Sequence, residues 1–190
     1  MRTFSKLMVM ALATLTFTGS LAAQDAKRFD ASLSWSLATD NLKEITNASG
    51  AFGGFNASFG YTGMLASTTV PLRLSLGIND FPGKDRDGLK QSLLGVQVAA
   101  DLFIDTGIRD LSLVTGVSLN KWTKDISPKP VGYSSDVKGI KFGARLGLNY
   151  RLNPSWSMHT LLQVVEVGTD PMATKGWNAS WVEIGAAYHF

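Results

Sequence analysis

The sequence predicts an all-β protein, an eight-stranded antiparallel up-and-down transmembrane β-barrel. Three observations support this fold class. Apolar and polar residues alternate along eight segments, as in strands with one apolar face. Short and long connections alternate between the segments, as in transmembrane barrels. No apolar run of about 18 residues follows residue 24, and strands can satisfy their backbone in lipid only by closing into a barrel.

Residues 1–23 have the features of a secretory signal peptide. A positively charged start, an apolar stretch and a group of small residues follow one another in that order. We expect cleavage after Ala22 or Ala23, which leaves residues 24–190 as a single barrel domain. The alternative is an N-terminal membrane anchor, but the apolar stretch is short for that role.

The composition excludes several kinds of site. The chain contains no cysteine, so disulfides and thiolate metal sites are impossible. The formal net charge of +3 falls to +1 when Arg2 and Lys6 are removed with the signal peptide, so the charge does not indicate a nucleic-acid partner.

Eight segments after the signal peptide show period-two alternation. They are approximately 29–37, 52–62, 70–79, 91–103, 111–120, 140–150, 156–165 and 179–190. The seventh is the weakest, because Leu161 and Val165 fall on its polar face. Short connections are predicted at 63–69, 105–110 and 151–155, and longer polar ones at 38–51, 80–90, 121–138 and 166–178.

The charged residues of these segments all lie opposite the apolar face. They are Asp30, Arg73, Asp101, Lys141, Arg145 and Glu183. This arrangement favours lipid outside the barrel, since a Lys or Arg facing the middle of a bilayer costs about 2–4 kcal/mol. The alternative is a soluble sandwich or lipocalin-like barrel with the apolar face inside. Glycine and serine, frequent on the polar face, suit a crowded lumen better than a solvent-exposed surface.

An eight-stranded barrel has an interior just wide enough for side chains to fill it. The six inward charges sum to zero, so we predict a buried ion-pair network and a closed lumen rather than a continuous water path. The residues of this network are Arg73, Asp101, Lys141, Arg145 and Glu183.

The last segment, 179–190, carries Tyr188 and Phe190 on its apolar face. It resembles the C-terminal strand of bacterial outer-membrane β-barrels, and the segment 150–156 (YRLNPSW) resembles a turn of the same group. The whole predicted barrel is similar to the small eight-stranded outer-membrane proteins, the OmpA-barrel, OmpX and OmpW-like group. The resemblance implies that the barrel assembly machinery reads Tyr188 and Phe190 as an assembly signal.

The resemblance also implies an integral protein of the outer membrane, surrounded by lipid and lipopolysaccharide. We expect a non-enzymatic structural or surface-interaction role carried by long extracellular loops, with an unidentified surface partner. Transport of a small, hydrophobic molecule is the alternative, and a lipid-modifying enzyme is a third. Lys121, Lys124 and Lys129 in one predicted loop either meet lipid phosphates or are simply solvated.

No catalytic, cofactor-binding or metal-binding residue is predicted. The only histidines are His159 and His189, and a lone lumen histidine is usually a hydrogen-bonding residue. The His-x-Ser motif of one family of barrel hydrolases is missing, because Leu161 stands where the serine would be. No phosphate-binding or dinucleotide-binding fingerprint occurs.

Overall fold

A computed structural model gives the architecture of the chain. It describes residues 28–39, 42, 53–64, 70–83, 85–86, 88–129, 137, 139–169 and 176–190. The predicted signal peptide, residues 1–23, lies outside the described residues. A membrane-crossing helix is absent from the described ranges.

The described residues form nine strands. They are β1 Phe29–Thr39, β2 Gly54–Met64, β3 Pro71–Phe81, β4 Asp85–Arg86, β5 Leu89–Asp105, β6 Leu111–Ser127, β7 Lys141–Asn153, β8 Trp156–Thr169 and β9 Gly176–His189. The two-residue β4 pairs only with the start of β5, and the other eight strands form the wall. Each wall strand pairs antiparallel with its neighbours, and the β3–β5 and β1–β9 pairings complete the closure. The predicted eight-stranded up-and-down barrel is therefore confirmed.

The two ends of the barrel differ. One end, here called the turn side, carries the connections 106–110 and 154–155. The left-handed backbone of Gly107, with φ of 75°, allows the tight turn between β5 and β6. The other end, here called the loop side, carries the longer connections.

The wall extends farther on the loop side than the sequence predicts. Strands β5 and β6 have 17 residues each, whereas β1, β2 and β3 have 11 each. The segment 121–127, predicted as loop, is the end of β6 and pairs with β5 up to Lys90↔Ser127. The alternation in fact continues there, since Trp122 and Ile126 are buried between exposed neighbours. The high lysine content of the segment concealed this pattern.

The outer face of the wall is apolar and the inner face is polar. Large apolar side chains stand exposed all round the barrel, as in Leu33 at 66% and Phe142 at 57%. The inward residues include buried Asp30, Asp101 and Glu183, each 1% exposed. This is the reverse of a water-soluble protein, in which charged groups are almost never fully buried unless paired.

Strand β8 carries apolar residues on both faces, which explains its unclear pattern. Leu161 and Val165 point inward and are 5% and 0% exposed. The side chain of Leu161 packs against β7, where a Cβ at Gly147 would lie 2.9 Å from its Cδ2 atom. Part of the lumen is therefore apolar. A division into apolar outward and polar inward residues could not place Leu161 and Val165.

Aromatic residues join the first and last strands on the turn side. Phe190 lies 6.4 Å from Phe29 and 5.9 Å from Phe59, measured between ring centroids. The backbone N–H of Phe190 donates to the carbonyl of Phe29 at 2.9 Å. Tyr188 continues the row toward Trp156, at 5.0 Å. The predicted assembly-signal residues thus lie at the seam that closes the barrel.

Candidate functional site in the barrel lumen

The inward side chains of successive strands form layers along the barrel axis. On β6 the inward order from the turn side is Gly116, Ser118, Asn120 and then Trp122. On β9 it is Gly185, Glu183 and then Trp181. Asp101 and Arg145 pair in register with Gly116, and Gln97 pairs with Asn120. Charged groups therefore come first, amides next, and aromatic rings last toward the loop side.

The charged layer is a chain of four residues from four strands. Arg73 Nε donates to Asp30 Oδ2 at 2.9 Å, and Arg73 Nη1 lies 3.7 Å from Asp101 Oδ2. Arg145 Nη1 donates to the same Asp101 oxygen at 2.8 Å. Arg145 and Asp101 are 5% and 1% exposed, so the charges are removed from water and depend on one another for compensation.

Glycines on the same face make room for these charges. A Cβ at Gly60 would lie 2.5 Å from Arg73 Nε, and one at Gly116 would lie 2.2 Å from Asp101 Oδ1. Any larger residue at either position would displace an ion pair. The inward glycines of β2 and β6 are thus required by the long charged side chains opposite them.

Glu183 is held by neutral donors. Its Oε1 accepts from Gln163 Nε2 at 2.6 Å and from Trp181 Nε1 at 2.9 Å. Gln97 Nε2 donates across the lumen to Gln163 Oε1 at 2.7 Å. Among the described residues, Glu183 and Arg145 form no direct ion pair. Gln97 and Gln163, here called the amide bridge, thus connect β5 through β8 to Glu183 on β9.

The predicted network differs from the observed contacts in two residues. Asp30 is the closest partner of Arg73 and was not included among the predicted site residues. Lys141 pairs in register with Asn120 at the loop-side end of β7 and is partly exposed. Its position near the end of the strand places it outside the charged layer.

Two serine–histidine pairs lie beside the charged layer. Ser34 Oγ lies 2.7 Å from His159 Nε2, and Ser157 Oγ lies 2.9 Å from His189 Nε2. A nucleophilic serine would also need an orienting acid and space for a substrate. No cluster of three metal-ligating side chains occurs in the part of the chain that the structure describes. These pairs satisfy the hydrogen bonding of buried groups, which is the role that the sequence predicts for a lumen histidine.

A small cavity lies within the charged layer and continues to the turn-side ends of the strands. Its volume is about 50 Å³, and Thr62, Asn149 and His189 line its turn-side part. At roughly 10–15 Å³ per water molecule it holds about four waters. Its lining includes three carboxyl groups and two guanidinium groups. These residues are Asp30, Asp101, Glu183, Arg73 and Arg145.

The loop-side part of the lumen is filled by a cluster that we call the apolar layer. Its members are Leu42, Phe81, Leu93, Trp122, Val165, Ala179 and Trp181. Each is at most 1% exposed. Phe81, Trp122 and Trp181 come from three different strands, and their ring centroids lie 5.5–6.1 Å apart. Sequence reasoning missed this layer because it placed Phe81 and Trp122 in loops.

The three lysines predicted to share one loop have different surroundings. Lys121 points outward and its Nζ donates to the carbonyl of Val137 at 2.9 Å. Lys124 points inward and is 8% exposed, which is incompatible with a surface lysine. Lys129 Nζ lies 3.2 Å from Asp125 Oδ1. The prediction that these lysines share one loop is therefore wrong for Lys121 and Lys124, which belong to β6 and face opposite sides of its wall.

Comparison with known proteins shows a likeness in structure alone. No protein-family model matches the chain, and a search of curated proteins gives no significant match. Neisserial surface protein A is similar in structure, with a TM-score of 0.60 and 15% identity over 85% of this chain and 96% of that one. A major outer membrane protein from Thermus thermophilus has a TM-score of 0.50 and 15% identity over 86% and 98%.

The outer membrane protein OprG from Pseudomonas aeruginosa gives a third comparison. Its TM-score is 0.50 at 13% identity, over 87% of this chain and 99% of that one. These identities are too low to carry over any function or residue role. The closed barrel and the likeness along nearly the whole length of each chain show that the protein has the fold of the small eight-stranded outer-membrane β-barrels, as its sequence resemblance implies.

Proposed function

We propose that this chain is an integral outer-membrane β-barrel protein with a structural or surface-interaction role and no enzymatic activity. The observation that carries the proposal is the continuous belt of exposed apolar side chains on the outer wall. In water such a surface would be unfavourable by roughly 25 cal/mol for each Å² of apolar area. In lipid an apolar outer surface is required, and a polar interior is the usual complement of it.

The height of the belt supports a membrane span. On β7 the large outward residues from Phe142 to Leu152 are all at least 41% exposed, and Ala144 between them is exposed as well. Ten steps of about 3.3 Å give roughly 33 Å along the strand. A tilt of about 40° projects this to about 25 Å along the membrane normal, which is the usual height of the apolar band.

The direction of insertion follows from the connections. We place the turn side in the periplasm and the loop side at the cell surface, as short periplasmic turns and long extracellular loops require. Lipopolysaccharide and outer-membrane lipid then surround the belt, and Lys121 lies at the outer edge of it, next to exposed Leu119. Tyr188 and Phe190 are proposed to be read by the barrel assembly machinery before the seam closes over them.

The filled lumen favours a surface role over transport. The charged layer, the amide bridge and the apolar layer occupy the interior at successive heights. A surface role leaves recognition to the loop side, where loops on a rigid scaffold usually carry function. The natural partner is a component of the cell surface or its surroundings.

Heat-dependent mobility on a gel tests the proposal. A closed barrel resists detergent, so the unboiled protein from the outer-membrane fraction should migrate differently from the boiled protein. Protein recovered from the soluble periplasm without a mobility shift would contradict the membrane assignment.

Two further assays address the alternatives. Solute flux into liposomes containing the purified wild-type barrel should stay at the level of empty liposomes, and a clear flux would favour transport. The mass spectrum of lipid A should be unchanged on overexpression, and a defined mass shift would favour a lipid-modifying enzyme.

A further inference from the structure

The lumen contains two kinds of obstruction, and they differ in how they interact with water. The charged layer and the amide bridge consist of groups that water can solvate. The apolar layer consists of groups that water cannot solvate. The substitutions that would open the barrel to ions therefore depend on which of these two obstructions closes it.

The polar part of the lumen is suited to hold water. Asp101 Oδ1 and Arg145 Nε are buried but have no hydrogen-bond partner in the described protein. Both residues line the cavity of about 50 Å³. A vacant acceptor and a vacant donor beside a polar cavity are normally satisfied by ordered water.

The apolar layer has almost no polar groups that could form hydrogen bonds with water. The N–H of Trp181 is directed away from the layer toward Glu183, at 2.9 Å. The N–H of Trp122 is the remaining polar side-chain atom among the layer's members, and it has no partner in the described protein. A water molecule entering here would lose most of its hydrogen bonds, and an ion would lose its hydration shell.

The backbone is shaped to bring the rings together. A Cβ at Gly95 would lie 2.6 Å from the six-membered ring of Trp122, and one at Gly54 would lie 2.8 Å from Phe81 Cδ1. Glycines at these positions on β5 and β2 allow the rings to press directly on the wall. The clearest case is Gly95, where the Trp122 ring is the nearest neighbour; at Gly54 the backbone oxygen of Asp80 is closer still, at 2.0 Å.

We propose that the apolar layer is the barrier that closes this lumen to ions, and that the polar part below it is a hydrated vestibule ending blindly at the layer. The proposal rests on the membrane location argued above. Hydrophobic constrictions close pores by excluding water, so the barrier does not depend on ion pairs. Any solute crossing the barrel would first have to displace the aromatic rings.

Conductance of purified variants in planar lipid bilayers tests the proposal. The double variant Phe81→Ala/Trp181→Ala should show stepwise ion conductance, whereas the wild type should show none. The double variant Gln97→Ala/Gln163→Ala, which removes the amide bridge, should stay silent. Trp156→Ala is the matched control, because it removes the same side chain from the outer wall, where Trp156 is 45% exposed.

A second variant guards against failure of the double variant to fold. Leu42 belongs to the apolar layer but lies in the connection between β1 and β2, so Leu42→Ser leaves the wall unchanged. It introduces a hydroxyl into the layer and should also allow conductance. Each variant is first checked for the heat-dependent gel shift.

The outcomes separate this proposal from the membrane assignment. Folded aromatic and Leu42 variants that remain silent would overturn the proposal, as would conductance by the glutamine variant with the aromatic layer intact. Both results would leave the membrane assignment unaffected. A wild type that conducts as strongly as the variants would overturn the proposal and the closed-lumen role together.

Discussion

The packing of Trp122 on Gly95 gives the sharpest test of the lumen geometry. In the variant Gly95→Ala, the new methyl group would lie 2.6 Å from the indole ring, whereas ordinary contacts are 3.4–4.0 Å. The ring cannot simply withdraw, since it also packs on Phe81 at 6.1 Å and on Trp181 at 5.8 Å. Overpacking of this kind costs about 1–3 kcal/mol, so we expect the free energy of unfolding to fall by that amount.

Urea unfolding of the refolded barrel, followed by tryptophan fluorescence, measures this change. Gly63→Ala is the matched control, because its Cβ would meet nothing closer than 3.4 Å. We expect the control to change the free energy of unfolding by no more than about 0.5 kcal/mol. Equal effects of the two substitutions would show that the Gly95 contact is not a constraint.

A double-mutant cycle assigns the cost to the proposed contact. Replacing Trp122 by leucine keeps the site apolar but removes the ring that meets the new methyl group. In the Trp122→Leu background, Gly95→Ala should therefore lose most of its penalty, which gives a coupling energy of about 1–3 kcal/mol. Additive effects would refute the reasoning, since the two residues would then act independently.

Three further predictions follow from the wall, the charged layer and the seam. Leu146→Lys should destabilise the barrel in lipid by about 2–4 kcal/mol. Leu152 is equally exposed, at 52%, but lies near the turn side, so Leu152→Lys should cost at most about 1 kcal/mol. Equal costs, measured by unfolding from lipid vesicles, would argue against a bilayer around β7. Arg145→Gln leaves Asp101 poorly compensated and should lower the free energy of unfolding by about 3–5 kcal/mol, while the 95% exposed Arg109→Gln should leave it nearly unchanged. Phe190→Ala removes three aromatic contacts and should cost about 2 kcal/mol and lower the amount of heat-shifted barrel in the outer membrane; an unchanged amount would argue against the assembly role.

The fold class and the two faces of the wall could be predicted because they are local properties. Alternation along a strand depends only on which side of the wall each residue faces. Residues two apart face the same side, so the pattern can be recognised within a single segment. Asp30, Arg73, Asp101, Arg145 and Glu183 were therefore placed on the inner face correctly, as their burial shows. The closing strand was likewise recognisable from its own residues.

The partners inside the lumen could not be predicted in the same way. Strands on opposite sides of a barrel meet according to tilt and register, which no single segment specifies. The sequence placed Arg145 and Glu183 in one network, but only the closed barrel shows that Arg145 pairs with Asp101 and that Glu183 accepts from Gln163. Asp30, one of the six predicted inward charges, reaches Arg73 from two strands away.

The inside-out barrel can be predicted from the sequence alone, since alternation and turn spacing leave few other folds for this chain. The filling of the lumen, in contrast, depends on how the closed barrel brings distant strands together. Trp122, Phe81 and Trp181 lie far apart in sequence and form one layer only when the wall closes around them. An eight-stranded interior is too narrow for large side chains at every position, so Trp122 packs against Gly95 and Phe81 against Gly54 of neighbouring strands.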